Sequence, residues 1–513
     1  MKSIDLFIIF AYLIGIVLFG TWFGRKQKTT SAYFLGNRSV PWWAVAFSIV
    51  ATETSTITFI SVPGIAFARG GNFQFLQLVF GYLLGRIVIS LLFIPSYFRG
   101  DLLTVYQLLD RRFGGKIKML AASLFVVMRN IADGIRLLLT AIVLAAVYVS
   151  FQPAGNVETI TIASIVLIGA AMIIFTYFGG MEAVIWVEVV QLGIYIAGAI
   201  AAAVVLVMSI DGGLSTAGSL ATQFGKYSVF DFAFDHTKTY TFWSGLIGGC
   251  FLTMSTHGTD QYLVQRYLCT DRPRRAIVAL LTSGAIVVAQ FIGFLFIGVL
   301  LFAFYKPFAD PGYAAAASTA FPFTGGDRVF PDFITKFMPS GLSGLVVAAI
   351  FAAAMSSSLN SIAATAVNDL YKPFKPNQED KHYLKVSHLL TLVWGVVQMG
   401  VALAFRNQPG SALSQALSIA SLINGPILGV FLVGTLLRRV SQPPALIGML
   451  VSMGSMLYIF LATNIAWTWY VFLGSLITFI VAWLVSFAWP SREQIEEKEL
   501  HDSFRDSSPS SVS

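Results

Sequence analysis

Charge is scarce in this chain. Of its 513 residues only 11% are Asp, Glu, Lys or Arg, whereas 56% are hydrophobic and the mean hydropathy is +0.76. Soluble domains carry about 25% charged residues, so a soluble globular fold is excluded. Cysteine is nearly absent: Cys250 and Cys269 form no disulfide framework. His257 and Asp260 lack a second His or Cys at ligand spacing, which speaks against a transition-metal site. No P-loop, GxSxG elbow or HExxH pair occurs, so ATP-driven work in cis and the common hydrolase chemistries find no support. Alternating ten-residue segments are missing too, which excludes a transmembrane β-barrel.

What is present is a series of apolar runs. The sequence predicts an all-α polytopic membrane protein with about thirteen spans of roughly 20 residues or more. They fall near 4–24, 41–68, 74–98, 119–150, 159–178, 182–209, 239–262, 277–306, 341–370, 384–407, 412–437, 443–463 and 469–489. The first run follows Met1-Lys2, has no small-residue cleavage site and is followed by Arg25-Lys26, so it reads as a retained span. Basic residues cluster in alternate loops: Arg25, Lys26, Lys28 and Arg38; Arg99, Arg111, Arg112, Lys116 and Lys118; Arg266, Arg272, Arg274 and Arg275; Lys372, Lys375, Lys381 and Lys385; Arg438 and Arg439. The positive-inside rule then places the N-terminus outside and the C-terminus inside a plasma or inner membrane. It also accounts for the net charge of +8 without nucleic acid.

The chain divides into a first span and loop (1–40), five spans (41–209), an outer loop (210–238), five more spans (239–437), two accessory spans (438–489) and a polar tail (490–513). The tail reads as disordered, with no room for an output domain. Five is odd, so two successive five-span units lie in opposite orientations, which permits an inverted repeat.

Polar residues interrupt several spans. In span two, Ala51-Thr52-Glu53-Thr54-Ser55-Thr56-Ile57-Thr58 precedes Pro63-Gly64. Two readings stand side by side: a kinked span whose hydroxyls bond back to their own helix, or a discontinuous helix that binds an ion and a solute. In span nine, Ala353-Ala354-Met355-Ser356-Ser357-Ser358-Leu359-Asn360 reads as close helix packing or as hydroxyls and carbonyls for a hard cation. Glu188 is an ion ligand or relay, or else a carboxylate near the cytoplasmic interface. Arg129, Asp133 and Arg136 lie one turn apart and predict a salt-bridge cluster on one helix face. The alternative leaves an arginine for an anionic solute. Arg86 lies too deep for easy snorkelling and calls for a buried partner.

Taken together these features resemble the sodium:solute symporter family, whose members include sodium/glucose, proline, iodide, multivitamin and sialic acid carriers. The landmarks are Ser31-Ala32-Tyr33-Phe34-Leu35-Gly36-Asn37-Arg38 before Trp42-Trp43, Tyr177-Phe178-Gly179-Gly180-Met181 to Glu188, Asp260-Gln261 to Arg266, Ala353 to Asn360 with Asn368-Asp369, and Gly425-Pro426. The resemblance covers nearly the whole chain. It implies a five-plus-five inverted repeat with discontinuous helices, one span before it and two after. It further implies a sodium site built from Ala51, Thr54, Ala353, Ser356 and Ser357. The solute pocket would draw on Ser55, Thr58, Gln77, Thr253, Thr256 and Ser418.

Two departures from the family pattern shape the expectations. About three residues are missing between Ser357 and Leu359-Asn360, where members with a second sodium site carry its ligands. Glu188 also stands at that second site's usual Asp, as a possible second-ion or coupling residue. One sodium per solute is therefore expected. The carboxylate-gripping arginine of sialic acid carriers falls at Ala132, and the aromatic gate of the sugar carriers falls at Thr256. Both sialic acid and glucose are thus disfavoured, and a sugar, polyol or small carboxylate is expected. The resulting expectation is a non-enzymatic, sodium-coupled symporter working by alternating access, with solute, sodium and the bilayer as its partners. The alternatives are a proton-coupled symporter using Glu53 or Glu188, a passive facilitator, and a non-transporting solute sensor.

Overall fold

The computed structural model describes residues 3–23, 28–54, 56–151, 156–355, 358–406 and 412–489, and within these the regular structure is entirely helical. The principal helices are α1 (Ser3–Phe23), α2 (Trp42–Glu53), α3 (Thr56–Phe67), α4 (Leu76–Leu92), α5 (Gly115–Phe151), α6 (Val157–Ser209), α7 (Gly249–Gly258), α8 (Gln261–Leu268), α9 (Pro273–Tyr305), α10 (Leu342–Met355), α11 (Leu359–Thr365), α12 (Asp380–Phe405), α13 (Ala412–Leu436), α14 (Gln442–Ala462) and α15 (Tyr470–Ala488). Among the described residues, six helical stretches are each long and apolar enough to cross a bilayer, and the bent pair α2–α3 makes a seventh.

Local chemistry explains the interruptions. α2 stops where Thr52, Thr54, Thr56 and Thr58 follow in alternation. Hydroxyls there compete for backbone groups: Thr52 Oγ1 donates to Ser48 O (2.7 Å) and Thr54 Oγ1 to Val50 O (2.7 Å). The chain bends by 58° between Trp42–Glu53 and Thr58–Phe67. α6 is one run of 53 residues broken at Gly180, whose φ of +61° is open to glycine and strained for other residues. That break separates the two stretches expected as spans five and six. Short π-helical segments at Ser244–Gly248 and Ala366–Tyr371 flank α7 and α11.

α1 packs on α6 and α10, α3 on α9 and α10, α4 on α7, α12 on α5, and α13 and α14 on α15. Gly85 lets α4 approach α7 closely, since a Cβ there would lie 2.6 Å from Cys250 O and 2.8 Å from Thr253 Cβ. Replacing Gly85 would therefore push Thr253 away from α4.

Candidate functional site

The interrupted span α2–α3 meets α10 through α3. At the end of α2, Thr54 N still donates to Val50 O (2.9 Å), which is the last regular bond of that helix. A helix end leaves its final carbonyls without intrahelical donors, and Ala51, Thr52 and Glu53 occupy that position. Thr58 Oγ1 reaches back to Glu53 O (3.1 Å), and Gln290 of α9 donates to Thr54 Oγ1 (2.6 Å). Ala51 and Thr54 are both buried. Across from them α10 ends at Met355 and α11 begins at Leu359. Ala353 lies in the last turn of α10, while Ser356, Ser357 and Ser55 fall outside the described residues. The serine positions expected as ligands in span nine are thus not among those described.

Beside the first break lies a cavity of about 430 Å³, within the size range of small-molecule sites. Thr58, Thr253 and Thr256 line it, as expected from the resemblance. Gln77 does not. Its amide donates to Gln74 O (3.1 Å) and Tyr240 O (3.4 Å) and accepts from Asp231 N (3.0 Å), so it ties loop backbone together. Ser418 lies in α13 with its side chain outside the described set. Ser421, nearly one turn along the same helix, does line the cavity. The apolar wall comes from Val62, Ile65, Leu78 and Leu252, with the aromatic rings of Phe75, Tyr82, Tyr240 and Phe291 beside them.

The cavity also exposes ions that residue types alone did not pair. Glu53 accepts from Arg86 Nη2 at 2.5 Å and lies 2.5 Å from His257 Nε2, while His257 Nδ1 is 2.9 Å from Thr256 Oγ1. Arg86, only 1% exposed, thereby gains its buried partner. Glu53 and His257 line the cavity directly, as do Arg129 and Arg136. The single-face cluster expected on α5 is corrected by the structure. Arg136 pairs loosely with Asp133 (3.5 Å), but Arg129 pairs with Asp260, the residue that caps α8 through Tyr262 N (2.8 Å). A capping carboxylate facing α5 offers Arg129 a partner without bending along its own helix. Ser358 donates to Asp133, and the Tyr262 ring lies 4.5 Å from the Arg129 guanidinium and 6.0 Å from that of Arg136.

Glu188 is fully buried. It accepts from Ser48, from Thr52 Oγ1 (3.1 Å) and from Arg266 Nε (3.2 Å) and Nη2 (2.5 Å). Arg266 is equally buried, so it is corrected from a cytoplasmic loop charge to the internal counter-ion of Glu188. The signal was its place on an apolar stretch, Gln261-Tyr262-Leu263-Val264, which forms α8.

Comparison with known proteins fits this architecture. The profile of the Sodium:solute symporter family matches residues 33–452. The sodium/sialic acid symporter of Aliivibrio fischeri is 32% identical over 483 residues, covering 93% of this chain and 92% of that protein. The human sodium-coupled monocarboxylate transporter 1 is 26% identical, covering 90% of this chain and 75% of that protein. Among solved structures, a sodium-coupled sialic acid symporter in a substrate-bound outward-open state superposes with a TM-score of 0.82 at 27% identity, over 96% of this chain and 99% of that one. A discontinuous helix pair beside a polar cavity, and a profile match over most of the length, lead to one conclusion: this chain belongs to the sodium:solute symporter family.

Proposed function

We propose that this protein is a sodium-coupled symporter that takes up a small, hydroxyl-bearing organic acid by alternating access, with one sodium per solute. The observation that carries the solute class is the presence of Arg129 and Arg136 on the wall of a hydroxyl-rich cavity of about 430 Å³. Arg136 holds Asp133 only at 3.5 Å and is the guanidinium most able to turn to a solute carboxylate. It lies one helical turn from Ala132 on the same face. Ala132 therefore does not exclude an acid, and the expectation against sialic acid is withdrawn. Two of the relatives named above carry acids, sialic acid in one and monocarboxylates in the other.

Sodium is assigned to the carbonyls of Ala51, Thr54 and Ala353 with the hydroxyls of Ser356 and Ser357. The ended helix α2, with Ala51 and Thr54 buried at its close, supports that assignment. Glu188 is assigned a positioning role, because Arg266 already neutralises it. Thirteen crossings, an inverted five-plus-five repeat and an N-out orientation complete the proposal. A second reading takes a proton as the coupling ion, carried on the Glu53–His257 pair at 2.5 Å.

The test is accumulation of labelled solute in proteoliposomes. An inward sodium gradient drives uptake of the acid above equilibrium under the sodium reading. Uptake driven equally well by a pH gradient in sodium-free buffer supports the proton reading instead.

A further inference from the structure

Two helices, α3 and α10, are each held at their outer end by a buried charge of the sign that end requires. α3 ends at Phe67. Lys226, from the loop after the helix Gly213–Gln223, donates its ammonium to Ala66 O (2.9 Å), Phe67 O (3.1 Å) and Ala68 O (2.6 Å). It is only 1% exposed, with the Phe302 ring of α9 at 4.1 Å. A helix C-terminus presents unpaired carbonyls and the negative end of the macrodipole, and a cation there answers both.

α10 begins at Leu342. The residue before it, Gly341, has φ of +89° and no side chain with which to cap. Asp5 of α1 supplies the missing cap from another helix. Its Oδ1 accepts from Gly341 N (2.7 Å), Gly344 N (3.0 Å) and Ser343 Oγ (2.9 Å), and the residue is fully buried. Gly344 permits the approach, since a Cβ there would lie 2.6 Å from Asp5 Cα. Asp5 thus does for α10 what an N-cap Asp does within its own chain segment.

We propose that Lys226 and Asp5 are positioning residues for sodium, fixing the two helices, α3 and α10, that lead towards the assigned ligands. The inference rests on the sodium site assigned above. α3 reports its position to the end of α2 through the bond from Thr58 Oγ1 to Glu53 O (3.1 Å). α10 carries Ala353 in its last turn and leads directly into Ser356 and Ser357. α10 runs about 20 Å without an internal proline, so release at its outer end displaces its inner end. Buried ions without a matched partner are strongly disfavoured, so both clamps hold their helix ends in one place.

The experiment titrates sodium, with potassium keeping ionic strength constant, against the melting temperature of the purified full-length protein without solute. The variants are Lys226→Met, Lys226→Arg and Asp5→Ala. Lys226→Met and Asp5→Ala raise the half-saturating sodium concentration roughly 5-fold or more, while Lys226→Arg stays close to wild type. A lower melting temperature in potassium with unchanged half-saturation in both Lys226→Met and Asp5→Ala overturns the proposal, because that is the result of a purely structural role. If Lys226→Met does not fold, Asp5→Ala decides by the same criterion. A wild-type protein that sodium does not stabilise brings down the sodium assignment itself, and the positioning role with it. That failure is visible before any variant is made.

Discussion

Replacing Glu188 with Gln separates two roles for this carboxylate, positioning and ion binding. The side chain and its partner Arg266 are both fully buried, joined at 2.5 Å, with Ser48 and Thr52 also donating to the carboxylate. Glu188→Gln removes the negative charge and leaves Arg266 uncompensated in a dry interior. Breaking a buried pair from one side costs about 3–5 kcal/mol. The double variant Glu188→Gln/Arg266→Met removes both charges and recovers most of that loss. The assay is denaturant unfolding in mixed micelles, carried out in potassium so that sodium linkage does not contribute. Sodium half-saturation, read separately from thermal shifts, recovers along with stability in the double variant. The reasoning is refuted if Glu188→Gln is as stable as wild type in potassium yet loses about 10-fold or more in sodium affinity. Glu188 would then be an ion ligand, and Arg266 a secondary partner.

Three further outcomes follow from the same geometry. Ser356→Ala and Ser357→Ala raise the sodium concentration needed for half-maximal transport with little loss of folded protein; unchanged sodium dependence in both removes span nine from the ion site. Arg136→Gln raises KM for a carboxylate solute roughly 10- to 100-fold, the equivalent of about 1.5–3 kcal/mol for a charge-assisted contact, and leaves its neutral amide analogue unaffected; equal losses for both would place Arg136 away from the carboxylate. Lys226 gives a pH signature. Burial pulls its ammonium below the ordinary lysine range to about 8, so the charge facing three carbonyls and the Phe302 ring is present below that pH and lost above it. Half-saturating sodium therefore rises between pH 7 and 9 in wild type and stays flat in Lys226→Arg, whose guanidinium keeps its charge; parallel curves for the two would exclude Lys226 as the titrating group.

Much of the frame was legible because membrane solubility forces it into composition and local pattern. Hydroxyls and a carboxylate inside the apolar run 42–71 announced the break that the structure shows between Glu53 and Thr56. The serine run after Ala353 falls at 356–357, outside the described residues. The partners of the buried ions were harder to read, since pairing inside a bundle is non-local. Glu53 meets Arg86, 33 positions away, and Arg86 also approaches His257, 171 positions away. Helical spacing suggested a local partner for Arg129, and a carboxylate 131 positions on took it instead. Gln77 matched the family's pocket position, but its amide is used up by loop backbone. Arg266 looked like a loop charge because sequence counts cations without showing which of them turn inward. The two far-end clamps were equally hidden: Asp5 and Gly341 are 336 positions apart, and a cap supplied from another helix leaves no local motif.

The measurement that bears most directly on the account is the melting temperature of the purified protein against sialic acid, short monocarboxylates, neutral sugars and polyols, each in sodium and in potassium. A ligand that binds only the folded state raises the melting temperature by mass action. The account predicts stabilisation by an organic acid in sodium, and little or none by the same acid in potassium or by its neutral analogue. An acid that stabilises equally in both salts contradicts sodium coupling and moves the coupling ion to the Glu53–His257 pair.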